Sequence, residues 1–192
     1  KQVLFLLPEI ALTTQLIQRL SIYFGDQIGV YHSKFNQNER VEIWNKVLAN
    51  DPQQYRLIIG ARSAVFLPYQ DLGLIIVDEE HESSFKQYDP SPRYNARDAA
   101  LILANLHKGK TLLGSATPSM ETFYNAKQGK YALVSLSERY KGLQLPEVLV
   151  ADLKKERQMK QMQSHFSALL MDEIVLALSK KEQVILFQNT HE

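Results

Sequence analysis

The sequence predicts an α/β domain built on a parallel sheet. Three observations carry that expectation. Short apolar runs alternate with helical patterns over roughly the first 136 residues, which is the pattern of strands joined by helical crossovers. Several of the runs are continuously apolar and rich in β-branched residues, as in strands covered on both faces. Each run also ends in a polar or glycine-containing segment, and open α/β sheets place ligands at the carboxyl ends of their strands.

The elements follow in order. Val3 to Leu7 reads as a strand, broken by Pro8-Glu9. A helix from about Leu12 to Phe24 carries Leu16, Ile17, Leu20, Tyr23 and Phe24 at helical spacing and stops at Gly25. Ile28 to Tyr31 is a second strand, ending in His32-Ser33. Asn36 with Glu39 three residues on forms a capping-box pattern, and the Asn50-Asp51-Pro52 turn stops the helix it opens. Leu57-Ile58-Ile59 is a third strand, leading into Gly60-Ala61-Arg62-Ser63. Leu74-Ile75-Ile76-Val77 is a fourth and runs straight into Asp78-Glu79-Glu80-His81. A polar, aromatic and proline-containing loop follows, then a helix from about Asn95 to His107. Thr111-Leu112-Leu113 is a strand closed by Gly114-Ser115-Ala116-Thr117-Pro118, and a short helix from Ser119 ends at Gly129. Tyr131 to Leu136 reads as a further strand. Beyond Pro146, Lys154, Lys155, Arg157 and Lys160 make a basic linker, and Phe166, Leu170, Ile174, Ala177 and Leu178 mark a helix leading to a last strand, Val184 to Phe187.

Composition bounds the function. Hydrophobic residues make up 45% and charged residues 22% of the 192 residues, as in ordinary globular proteins. No apolar run approaches the roughly 20 residues needed to cross a bilayer. Without cysteine there is neither a disulfide nor a thiolate zinc site. Lys1-Gln2 opens directly on a strand pattern, so no secretory leader is read and a cytoplasmic setting is expected. A net charge of +1 means that any nucleic-acid surface must be local. Buried-strand patterns at both termini suggest a piece of a larger protein.

Consecutive carboxylates at a strand end suit magnesium nucleotide chemistry. Asp78 would hold the cation through water, and Glu79 would orient or deprotonate the attacking water. Taken singly, the other residues have plain readings. Ser33 and Ser115 suit turns or caps, His32 and His81 suit structural contacts, Arg62 an ion pair, and Glu9 a helix dipole. Their recurrence at successive strand ends puts hydroxyls, an imidazole and a guanidinium on one rim, where phosphate oxygens bind well. In the loop after His81, Phe85, Tyr88 and Tyr94 interleave with Lys86, Arg93 and Arg97. Aromatic faces stack on bases and cations attract the backbone, although the same aromatics would also suit a packed lid. No Gly-x-x-x-x-Gly-Lys-Ser/Thr occurs. Gly109-Lys110-Thr111 has Ala104 in place of the first glycine and opens a strand rather than a helix.

These residues carry a resemblance. Asp78-Glu79-Glu80-His81 resembles motif II, and Ser115-Ala116-Thr117 motif III, of the superfamily 2 helicases. Leu7 through Gln15, His32-Ser33 with Glu39-Arg40 and Trp44, Gly60 through Phe66, Asp78 through Gln87, Arg93-Tyr94 with Ala96-Arg97-Asp98, and Gly114 through Ser119 resemble, in order, the primosomal replication-restart helicases within that superfamily. The resemblance implies a RecA-like first helicase lobe, incomplete, over 1–140, a connecting segment over 141–165, and the first helix and strand of a second lobe over 166–192. It implies ATP and magnesium as cofactors, with Asp78 on the metal and Glu79 activating water. His81, Ser115 and Thr117 would couple ATP to DNA. Pro8, Glu9, Thr13, His32, Ser33, Arg62 and Ser63 would line a single-strand path. Phe85, Lys86, Tyr88, Arg93, Tyr94 and Arg97 would belong to a DNA-sensing aromatic loop. Implied partners are forked or single-stranded DNA, primosome proteins and single-strand-binding protein, with no membrane.

The departures are a missing phosphate loop, expected before Lys1, and an ending in Thr190-His191-Glu192 where the family continues Arg-Arg-Gly. Zinc-binding cysteines would belong only to a region further downstream. The isolated chain is therefore expected to be inactive. A non-catalytic nucleic-acid-binding or interaction module on the same sheet is the alternative, and another superfamily 2 translocase a third.

Overall fold

The computed structural model describes residues 1–8, 14–32, 35–51, 55–138, 140–142 and 146–187. They fall into two units, Lys1–Val134 and Ser135–Glu192.

The first unit is a five-stranded, wholly parallel sheet. Its strands are β1 (Gln2–Leu6), β2 (Ile28–Tyr31), β3 (Leu57–Gly60), β4 (Leu72–Val77) and β5 (Lys110–Leu113), in the order β2-β3-β1-β4-β5. In register, Leu4 lies between Ile58 and Ile75, and Leu6 between Gly60 and Val77. The period of two along each strand splits the apolar residues between the faces. Leu4, Leu6, Ile58, Ile75 and Val77 enter a large core with Ile43 and Val47 of α2 (Gln37–Ala49) and Ala96, Ala100 and Ala104 of α3 (Ala96–Leu106). Alanine at every fourth position of α3 lets its backbone approach the sheet closely. On the opposite face, Leu57, Ile59 and Leu7 pack with Val3, Phe5 and Ile28 under Leu16 and Leu20 of α1 (Thr14–Phe24).

That opposite face is covered only in part. Leu74 and Ile76 of β4 are half-buried, and Leu112 of β5 is 57% exposed. The expected two-sided cover therefore holds at β1 and β3 and fails toward β5, because α1 covers that face only over β1, β3 and β2.

Caps appear where the side chains supply them. The Asn36 side chain accepts the Glu39 amide at 3.0 Å while Glu39 accepts the Asn36 amide at 2.9 Å, closing the expected capping box. Asn50, in the left-handed region (φ 50°), ends α2. Asn95 and Ser119 cap α3 and α4 (Met120–Lys127).

Two expected strands do not form. Residues 131–136 and 184–187 are irregular. An apolar run becomes a strand only by ladder pairing, and neither run pairs with a strand among the described residues. Ile185 is 95% exposed. The second unit, taken by itself, holds α5 (Leu153–Gln158), where a basic linker was expected, and α6 (Ala168–Ser179). Asp152 caps α5 by accepting the Lys154 and Lys155 amides at 3.0 and 3.1 Å. Glu156 of α5 accepts the Ala168 amide of α6 at 2.7 Å. No described helix is long and apolar enough to cross a membrane.

Candidate functional site

The carboxyl ends of β1, β4 and β5 are stitched together by backbone. The Asp78 amide donates to the Leu6 carbonyl at 3.0 Å, the Gly114 amide to Val77 at 2.8 Å, and the Glu80 amide to Gly114 at 3.0 Å. These bonds hold the acidic turn after β4 against the loop after β5. Asp78 Oδ1 accepts the Glu79 amide at 3.1 Å. Glu79 then turns into the left-handed region at φ 49°, a conformation a non-glycine residue adopts only where its surroundings enforce it. The turn separates the three acids. Asp78 and Glu79 remain solvent-accessible, while Glu80 is 2% exposed.

His81 bridges the two loops. Its Nδ1 lies 2.7 Å from Ser115 Oγ, and its Nε2 lies 3.4 Å from Thr117 Oγ1. Ser115 Oγ also accepts the Thr117 amide at 3.0 Å, and Glu79 Oε2 stands 3.6 Å from His81 Nδ1. Asp78, Glu79, His81, Ser115 and Thr117 are thus brought to one place.

Beneath them Glu80 collects donors. Ser119 gives it an amide N–H at 2.6 Å and a hydroxyl at 3.0 Å, Thr122 a hydroxyl at 2.8 Å, and Arg97 Nη1 a charged N–H at 3.0 Å. Burial would raise the pKa of Glu80. The donors from Ser119, Thr122 and Arg97 outweigh it and hold the carboxyl below its ordinary value.

The other rim residues divide. Pro8 is buried at the end of β1, and the His32 ring packs on Phe35 at 4.1 Å after β2. After β3 the chain must pass close: a Cβ on Gly60 would meet the Ala64 side chain at 2.5 Å and the Tyr31 carbonyl at 2.7 Å. Arg62 there donates to the Lys86 carbonyl at 3.0 Å; burial raises the pKa of the neighbouring Tyr94 phenol, and the Arg62 guanidinium opposes that rise. Tyr94 packs edge-on against Phe66 at 4.8 Å. Residues 86–95 form a closed excursion, tied by the Lys86–Asn95 bridge and by the Gln87 amide on the Tyr94 carbonyl at 2.8 Å. The excursion exposes Lys86, Tyr88 and Arg93, with the Lys86 ammonium 5.1 Å from the centre of the Tyr88 ring.

Among the described residues no group of three or more acids or histidines forms a metal cage. Asp78, accessible at the end of β4, is a carboxylate of the kind that would hold a hard cation through water. A cavity of about 390 Å³ lies between β5, α4 and residues 131–134. Its polar lining of Glu80, Thr111, Ser115 and Thr122 offers no cation to a phosphate.

The model of the DEAD/DEAH box helicase family matches residues 1–126. The chain belongs to the DEAD/DEAH box helicase family. It is 41% identical over 189 residues to replication restart protein PriA of Bacillus subtilis (strain 168), covering 98% of this chain and 23% of that protein. To PriA of Rickettsia felis it is 42% identical over 189 residues, covering 98% and 28%. The chain thus spans about a quarter of the length of these curated relatives. A solved chain described as "Structure of RecG bound to three-way DNA junction" aligns with 24% identity and a TM-score of 0.41, over 67% of this chain and 16% of that one. The parallel sheet of this helicase chain is a RecA-like lobe.

Within this helicase chain three expected site residues, Glu9, Thr13 and Ser33, lie outside the described residues. Three others are placed differently from expectation. Pro8 is buried and offers no surface to a strand. Phe85 is 1% exposed in the main core and presents no face to a base. Arg97 is only 12% exposed and is committed to Glu80, Ser119 and Asp98. The sequence pattern missed Glu80, Ser119 and Thr122. The signal was present in Ser119 and Thr122 opening a helix three residues apart, but nothing local tied them to an acid 39 and 42 residues earlier in the chain.

Proposed function

We propose that this chain is part of an ATP-dependent DNA helicase acting in replication restart and primosome assembly. The observation that carries the reading is the His81 bridge. An acidic turn fit for magnesium nucleotide chemistry and a hydroxyl loop fit to report on it share one imidazole, at 2.7 and 3.4 Å. The ordered motifs and the 41% identity to a replication restart protein support it.

Bound magnesium ATP supplies the electrophilic phosphorus and the cation that offsets charge on its oxygens. Asp78, accessible at the end of β4, would hold that cation through water. Glu79, accessible at the turn, would orient the attacking water and accept its proton. His81 keeps the Glu79 turn in register with Ser115 and Thr117. His32, Arg62 and Ser63 would line the DNA path, and exposed Lys86, Tyr88 and Arg93 would offer cations and a stacking face to the strand. Residues 1–140 form a partial first lobe, 141–165 a connection, and 166–192 the start of a second lobe. The complete protein works in the cytoplasm with primosome proteins and single-strand-binding protein, and it carries zinc downstream of this chain.

The test is Glu79→Gln in the complete protein. DNA-stimulated ATP turnover should fall by about 10³-fold, with single-strand affinity unchanged. Turnover at the wild-type rate overturns the role of Glu79. A wild type that binds DNA without hydrolysing ATP would favour the non-catalytic module instead.

A further inference from the structure

Glu80 is the most buried acid of the turn, and its carboxylate is taken up by protein donors rather than free to act on a ligand. It reaches four donor groups on three residues of other elements. Oε1 accepts the Ser119 amide at 2.6 Å. Oε2 accepts the hydroxyls of Ser119 and Thr122 and the Arg97 guanidinium at 3.0, 2.8 and 3.0 Å. Ser119 closes the loop that begins with Ser115 and Thr117, and it caps α4 by accepting the Thr122 amide at 3.3 Å. Arg97 sits in the first turn of α3, two residues after Asn95, where the aromatic excursion ends in its bridge to Lys86. Arg97 Nη1 also donates to Ser119 Oγ at 2.7 Å. The backbone of Glu80 is itself tied to Gly114, just before Ser115. One residue therefore grips both ends of the loop after β5, through its backbone at Gly114 and its carboxylate at Ser119, and its carboxylate also holds the start of α3, directly beside Glu79 and His81.

We propose that Glu80 is a positioning residue for this site. Its carboxylate fixes Ser115 and Thr117 against His81, and its bond to Arg97 links that contact to the loop that presents Lys86, Tyr88 and Arg93. The inference rests on the proposed helicase reading for its consequence in turnover, though not for its geometry.

The chemistry requires an acid here. All four groups donate, so the acceptor must accept on both oxygens. A glutamine would set its own N–H₂ against a donor in either orientation: against the Ser119 amide in one, and against Arg97 and the two hydroxyls in the other. Such a mismatch leaves buried donors unsatisfied and lets the loop move. Side-chain length is unchanged, and the charge removed is a buried one that Arg97 already pairs with. The lost property is therefore alignment, which acts on the chemical step rather than on binding.

The experiment is made in the complete protein with Glu80→Gln, Arg97→Ala and the double variant. The expected result for Glu80→Gln is a fall in DNA-stimulated kcat of about tenfold or more, with KM for ATP and single-strand Kd within about twofold. The double variant should be no worse than Glu80→Gln alone, because both act through one contact. Unchanged kcat, a loss lying wholly in KM or Kd, or losses that multiply would each overturn the proposal.

A readout independent of ATP is the ¹⁵N spectrum of the His81 ring. Its signals should move in Glu80→Gln as the Ser115 and Thr117 hydroxyls leave it, and superimposable spectra overturn the proposal even in a protein without ATPase activity. Absence of wild-type turnover with displaced His81 signals would instead sink the helicase reading and leave the positioning role standing. Thr122→Val serves if Glu80→Gln does not fold. It removes one donor at constant shape and should lower kcat about two- to fivefold with KM unchanged. An unaltered kcat there also overturns the proposal.

Discussion

Asp78, Glu79 and Glu80 are three adjacent carboxylates with three different surroundings. Alternation along an extended strand would send the first and third the same way. The left-handed residue between them breaks that alternation, so Asp78 stays accessible while Glu80 enters the interior. The sequence showed that acids stand at a strand end. It did not show which acid is buried, because that depends on a single φ. Burial of Glu80 has a measurable signature. Its folded pKa lies below the unfolded value, since its donors, including the charged Arg97 facing it, outweigh desolvation. Its stabilising contribution is then complete above the unfolded carboxyl value and is lost as pH falls through the depressed folded value. Urea unfolding of wild type and Glu80→Gln should therefore differ most near neutral pH, and the difference should narrow from about pH 5 downward. A gap that stays constant down to about pH 3.5 would contradict this.

The segment from Ser83 to Tyr94 shows how far an element can be read from composition. Its interleaved aromatics and cations suited either an exposed, base-stacking loop or a packed lid. The structure divides it: the 3₁₀ turn Ser83–Phe85 drives Phe85 into the core, and only the excursion beyond it presents side chains to solvent. Composition cannot see that division, because a phenylalanine suits either environment. The two aromatics should respond differently to truncation. Phe85→Ala should cost about 3–5 kcal/mol of unfolding free energy. Tyr88→Ala, at a residue 61% exposed, should change stability by less than about 0.5 kcal/mol while weakening, in the complete protein, the stimulation of ATP turnover by single-stranded DNA. Denaturant midpoints and ATPase titrations with DNA separate the two, and equal effects on stability would refute the division. The apolar runs at 131–136 and 184–187 carry a related lesson. Their strand-like composition was legible, but a strand also needs a neighbour, and pairing is not a local property.

At the scale of the whole molecule, alternation of strands and helices gave the parallel sheet and the shared rim of strand ends. It did not give the strand order, since the same alternation is compatible with several windings. The sheet holds the acidic turn and its hydroxyl partner, while no segment of these 192 residues has the glycine-rich pattern that cradles a triphosphate. The isolated chain should accordingly show no DNA-stimulated release of phosphate from ATP, and a measurable rate in a purified sample would contradict that expectation. The strand order also bears on how such a chain comes to be folded. β1 lies in the middle of the sheet, and its ladder partners are Leu57 to Gly60 on one side and Leu72 to Val77 on the other. No hairpin exists among these strands, so each pairing must close a long loop before it gains anything. At about 5–20 residues per second, a ribosome would expose the apolar run Val3-Leu4-Phe5-Leu6 for roughly 3–10 s before β3 is made. During that interval the future centre of the sheet is an unpaired hydrophobic segment. It is the stretch of this lobe that a nascent-chain chaperone would be expected to shield.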